Sequence, residues 1–121
     1  MELHELSFAK IVLLRSDIAE VIINDGVEMD NAKVEQYHEF LLNHLTAPFS
    51  ILVNKINSYS YDFEALNKVG TLKELKAIAV VTYTNASKLS TESVAAFPRE
   101  TKWNVKMFSS RDEAMVWLVS Y

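Results

Sequence analysis

The spacing of apolar residues changes character several times along the chain. Residues 5–15 (ELSFAKIVLLR) and 18–24 (IAEVIIN) are apolar and β-branched, and the Ser16-Asp17 pair between them suits a tight turn. Two runs joined so closely are predicted to pair antiparallel. Over residues 30–45 the period becomes helical: Val34, Tyr37, Leu41 and Leu45 fall on one stripe, while Lys33, Glu35, Gln36, Glu39 and Asn43 fall off it. Asp30 is placed to cap that helix, with Met29 and Val34 at the positions of a hydrophobic staple. Pro48 marks its end, and residues 49–54 (FSILVN) read as a short strand buried on both faces.

Asp62 is predicted to cap a second helix whose inward face is Phe63, Leu66 and Val69, with Gly70 in the left-handed position beyond its end. Residues 76–84 (KAIAVVTYT) read as the next central strand. A third helix within 87–97 turns Leu89, Val94 and Phe97 inward and stops before Pro98. Residues 103–108, opening with Trp103, alternate as a strand. Ser110-Arg111-Asp112-Glu113 then forms a capping box ahead of Ala114, Trp117, Leu118 and Tyr121 on one helical face. The order β-β-α-β-α-β-α-β-α predicts one α/β domain over residues 1–121. Its mixed sheet should hold about five strands, parallel except for the opening hairpin, with helices covering it.

Composition narrows the function classes. The chain has 121 residues, enough for a single core, and half of them are hydrophobic. No cysteine is present, which excludes disulfides, thiolate metal sites and a cysteine nucleophile. Two glycines are too few for a phosphate-cradling loop. A net charge of −4 without a basic patch argues against nucleic acid. Residues 17–39 carry seven carboxylates (Asp17, Glu20, Asp25, Glu28, Asp30, Glu35, Glu39) against Lys33 alone, and read as the solvated side of a helix and its entry loop. The longest apolar run, residues 77–81, is far short of a membrane span, and MELHELSF does not resemble a signal peptide, so a cytoplasmic location is expected.

The element order, the segment DGVEMD at 25–30, the strand ILVN at 51–54 leading through a polar turn to Tyr61-Asp62, and the ending from Val105 to Trp117 are similar to the STAS domain. That is the fold of SpoIIAA-like anti-sigma-factor antagonists, which include small stand-alone bacterial members, and of the cytoplasmic tails of sulfate transporters. The resemblance implies a regulatory, protein-binding module. It also implies a phosphorylated serine directly after the aspartate that opens the second helix, but here Asp62 is followed by Phe63, Glu64 and Ala65. Phenylalanine accepts no phosphate, so the usual switch is not expected, although Ser58 and Ser60 lie just upstream. The fold is also similar to lipid-transfer SEC14 domains, which implies an alternative: a carrier of a small apolar ligand in a gap lined by Phe63, Leu66 and Leu89.

In parallel sheets, sites gather at the carboxyl ends of strands. The loops expected there are residues 55–62 and 83–88. They offer Asn57, Ser58, Tyr59, Ser60, Tyr61 and Asp62 on one side, and Tyr83, Thr84 and Asn85 on the other. Tyrosine gives contact area with a hydrogen-bonding tip, so this rim suits a protein partner or a small polar ligand. Tyr59 and Tyr61 are expected to point to opposite sides. Trp103, Met107, Phe108 and Trp117 read as core residues. His38 and His44, six apart on a helix, face nearly opposite ways, His38 as a half-exposed neighbour of Glu35 or Glu39; with His4 on an edge, no metal site is implied. No HExxH or G-x-S-x-G motif occurs, so no catalytic residue, cofactor or enzymatic activity is expected. Helix faces or the edge strand offer a route to a homodimer.

Overall fold

The computed structural model describes residues 2–97 and 104–121. The expectations placed on Pro98 and Trp103 lie outside those residues. The chain forms a mixed α/β fold. In order, the elements are β1 (Glu2–Leu6), β2 (Ala9–Arg15), β3 (Ile18–Ile23), β4 (Glu28–Met29), α1 (Asn31–His44), β5 (Phe49–Lys55), β6 (Ser60–Tyr61), α2 (Phe63–Lys68), β7 (Leu75–Thr82), α3 (Asn85–Ala96), β8 (Val105–Phe108) and α4 (Arg111–Val119). The main sheet has six strands in the order β1-β2-β3-β5-β7-β8. The first three form an antiparallel meander, and β3, β5, β7 and β8 run parallel.

The opening run therefore differs from the expected hairpin. Residues 5–15 do not make one strand: Ser7 and Phe8 turn the chain, and Leu6 pairs with Ala9. An uninterrupted apolar pattern hid the turn because Phe8 is itself a core residue, 1% exposed, which plugs the end of the sheet. The second turn, at Ser16-Asp17, falls where expected.

Alternation along each strand sorts residues onto two faces. Ile11, Val21, Ile23 and Ile51 meet Val34, Tyr37, Phe40 and Leu41 of α1, together with Ala65 and Val69 at α2. On the other face Ile18, Leu52, Ala79 and Val81 meet Ala114 and Leu118 of α4. Three helices are capped as their sequences predict. Asp30 accepts from the Lys33 amide, Asp62 from the Ala65 amide and Ser110 from the Glu113 amide. Gly70 takes a φ of 74°, the left-handed conformation that a side chain would strain.

Two inward faces differ from expectation. Phe63 is 70% exposed and Leu89 64% exposed. The six-residue α2 packs through Ala65, and Phe63, two residues away on the helix, points the opposite way. In α3 the stripe that faces the sheet is Thr91, Val94 and Ala95, which puts Leu89 on the outer side. On α4, Ala114 and Leu118 are buried as expected, Trp117 is half-buried against Phe108, and Tyr121 is half-exposed.

Candidate functional site

β5 and β7 are parallel neighbours, so the segments leaving their carboxyl ends emerge side by side. The segment after β5 is tied down. Asn57 donates through its side-chain amide to the Ile23 carbonyl at 3.0 Å, and the Ser58 amide donates to the Asp25 carboxylate at 3.0 Å. The Gly26 amide donates to the Ser58 carbonyl, and β4 and β6 then zip together as a two-stranded parallel ribbon. Gly26 reaches this register at a φ of 77°. Nothing in the apolar pattern announces two-residue strands, so this brace was invisible to sequence reasoning.

Of the expected rim, Asn57, Ser58, Tyr59, Tyr83 and Thr84 line one cleft of about 320 Å3, joined by Lys55, Ile56, Ala86, Ser87 and Ser90. Ser60, Tyr61, Asp62 and Asn85 do not line it. Ser60 and Tyr61 are the ribbon strand, Asp62 is spent on capping α2, and Asn85 is the exposed first residue of α3. Thr84 caps α3 by accepting from the Ser87 amide at 3.0 Å. Tyr59 and Tyr61 do not diverge as expected. Both pack on the main core, with ring centroids 5.7 Å apart, because residues two apart in an extended segment share a side. Burial, then the neighbouring Tyr61, pushes the Tyr59 phenol well above its ordinary value.

Two buried charges flank this region and neither was singled out by pattern. Glu20 is 6% exposed, although its sequence neighbourhood read as a solvated acidic stretch. It sits on the α4 face of β3, where Arg111 at the start of α4 donates to it at 2.7 Å and Asn54 at 2.8 Å. The Tyr83 hydroxyl in turn donates to Asn54 at 2.7 Å, which links the buried carboxylate to the cleft wall. Burial raises the Glu20 carboxyl, but the hydrogen bonds from Arg111 and Asn54 and the guanidinium charge outweigh it, leaving the group below its ordinary value.

Lys55, the last residue of β5, is 7% exposed and points to the opposite face. Its ammonium reaches the hydroxyls of Ser90 at 3.4 Å and Thr91 at 3.3 Å, and lies 4.9 Å from the Tyr59 ring centre. No carboxylate pairs with it among the described residues. Burial lowers its pKa from the ordinary lysine value. Behind it, between the sheet and α3, lies an apolar gap of about 60 Å3 walled by Val21, Ile23, Tyr37, Val53, Val80 and Val94 among others. Phe63, Leu66 and Leu89, expected around such a gap, do not line it.

His38 is partly buried, in keeping with its spacing, but its hydrogen-bond partner is the backbone of Gly70 and not the expected Glu35 or Glu39. It is half-buried between α1 and the end of α2, where its Nε2 accepts from the Gly70 amide at 3.3 Å. Burial, and then the charge of Lys68, lowers its pKa to about 4. His4 and His44 meet edge to face beside Phe40. Among the described residues, no group of three or more histidine, aspartate or glutamate side chains is placed to hold a metal ion, and no helix is long and apolar enough to cross a membrane. Comparison with protein-family models, with curated proteins and with solved structures finds no match to this chain.

Proposed function

We propose that the chain is a non-enzymatic, STAS-like interaction module of the cytoplasm, working through the rim at the carboxyl ends of β5 and β7. The observation that carries this reading is the convergence of the two predicted loops into one braced cleft bordered by exposed apolar side chains. Ile56 and Tyr83 stand on its wall, and Leu89 is exposed on the helix that follows β7; Phe63, exposed on α2, meets Phe97 at the far end of α3. Such a surface suits a partner that brings apolar and aromatic side chains of its own. The mixed sheet behind its antiparallel meander and the Asp62 cap support the family resemblance. Phe63 in place of a phosphoacceptor assigns the module constitutive rather than phosphate-switched binding.

The experiment is affinity capture from the protein's own cells with the wild type and with Ile56→Asp, Tyr83→Asp and Leu89→Asp. All three positions are exposed, so the variants should fold. A specific partner recovered with the wild type and lost with at least one of them is the expected result. Recovery unchanged by all three would overturn the rim assignment. Native mass spectrometry of the purified protein tests the apolar-carrier alternative through retained extra mass. The gap of about 60 Å3 favours the interaction reading, since small-molecule pockets run to several hundred Å3. The same spectrum reports any homodimer.

A further inference from the structure

Among the described residues, Lys55 is the single charged residue on the walls of the outer cleft and of the inner gap, and it stands between them. A buried ammonium normally has a carboxylate partner or loses its proton, because desolvation penalises the charge. Here the neighbours are two hydroxyls at the long end of hydrogen-bond range and a tyrosine ring. None of these carries a negative charge. Among the described residues, the carboxylate bonded to the cleft's loops, Asp25, is engaged by the Ser58 amide and is not part of the cleft wall.

Two further features of the same wall ask for negative charge or an acceptor. The first turn of α3 opens at the cleft through Ala86 and Ser87, where the amides of Asn85 and Ala86 have no acceptor within the helix and carry the positive end of its dipole. The Ser87 hydroxyl oxygen is buried and has no hydrogen-bond partner. A buried hydroxyl left unsatisfied is costly, and a χ1 rotation of Ser87 toward the cleft it lines would let the hydroxyl meet a ligand oxygen.

We infer that the cleft between Lys55 and the first turn of α3 is a binding site for a small organic oxyanion, a phosphate or carboxylate group on an apolar body. The oxyanion sits between the Lys55 ammonium and the Ala86–Ser87 end of the helix. The body of the ligand lies against Ile56, Tyr59 and Tyr83. A volume of about 320 Å3 admits a ligand of one ring and its anionic group, not a chain-length lipid. The site lies inside the rim assigned above to a protein partner, but the inference does not rest on that reading, because the binding needs no second protein.

The test is an NMR titration of the isotope-labelled full chain with phenyl phosphate in one arm and benzoate in the other. Saturable shifts of the Ala86 and Ser87 amides and of the Lys55 side-chain carbons are expected in at least one arm, and the tighter arm assigns the anion. Lys55→Met should weaken that binding by about tenfold or more, and Ser87→Ala by several-fold, whereas Lys88→Met, an exposed lysine outside the cleft, should leave it unchanged. Absence of saturable shifts in both arms overturns the site, as does binding that survives Lys55→Met. Should Lys55→Met fail to fold, the Lys55 carbon shifts of the wild type decide alone. Loss of partner capture in Leu89→Asp, a position outside the cleft, with oxyanion binding intact, separates this site from the interaction surface.

Discussion

Glu20 and Lys55 lie on adjacent strands, are buried to nearly the same degree, and occupy opposite faces of the sheet. Their surroundings differ in kind. The carboxylate beneath α4 is held by a guanidinium and an amide, and every neighbour named favours its charge. The ammonium beneath α3 has hydroxyls and a ring. A buried charge with complete partners orders the structure around it; one without them opens a demand that a ligand can meet. On the binding proposal above, the α4 side is architecture and the α3 side is the working side.

The largest expected effect breaks the first half of that contrast. Arg111→Ala strands Glu20 and should cost about 3 kcal/mol in urea unfolding, while Glu20→Gln combined with Arg111→Met should recover more than half of it. A loss below about 1 kcal/mol from Arg111→Ala would mean that water already solvates Glu20.

Next in size is a pH effect on a third buried group. Unfolded, His38 takes a proton near its ordinary 6.5; folded, it resists until about 4, because burial, and then the charge of Lys68, disfavour the imidazolium. The unfolded chain therefore binds more protons in that window. Stability should hold above pH 6.5 and fall by about 2 kcal/mol as the pH drops toward 4, after allowance for water reaching the ring. The carboxylates with lowered values titrate below the ordinary carboxylate value, so the upper part of the window belongs to His38. His38→Gln should flatten the profile there, and an unchanged slope would reassign it.

Smaller again is Ser110→Ala, expected to cost about 1 kcal/mol by freeing the first turn of α4, where Arg111 stands. The smallest effect sharpens the second half of the contrast. Lys55→Met should leave stability within about 1 kcal/mol of the wild type, or raise it, since no partner is stranded. A loss above about 2 kcal/mol would make Lys55 structural instead of ligand-seeking.

Reading outward from the sequence, the helix caps at Asp30, Asp62 and Ser110 were legible because capping is local: one side chain and the amide three residues on. The strands around 49–55 and 75–82 were legible because buried parallel strands are continuous apolar runs. The Ser7-Phe8 turn was not, since a turn residue that is also a core aromatic does not interrupt that pattern. Phe63 and Leu89 were assigned inward because they are large, yet small neighbours, Ala65 and Thr91, decide how closely each helix sits. Asn57, Tyr59 and Tyr83 were rightly placed near one another from strand ends alone. Glu20 and Lys55 were passed over because burial of a charge depends on residues far away in sequence, Arg111 for one and Ser90 with Thr91 for the other.

The amino-acid sequence by itself determined the α/β alternation, the caps and the neighbourhood of the two strand-end loops, all of which follow from periodicity and short-range hydrogen bonding. Only the tertiary structure decided which charges were taken out of water and which of them found a counter-charge. That outcome depends on the pairing of strands and the seating of helices, which no local pattern encodes.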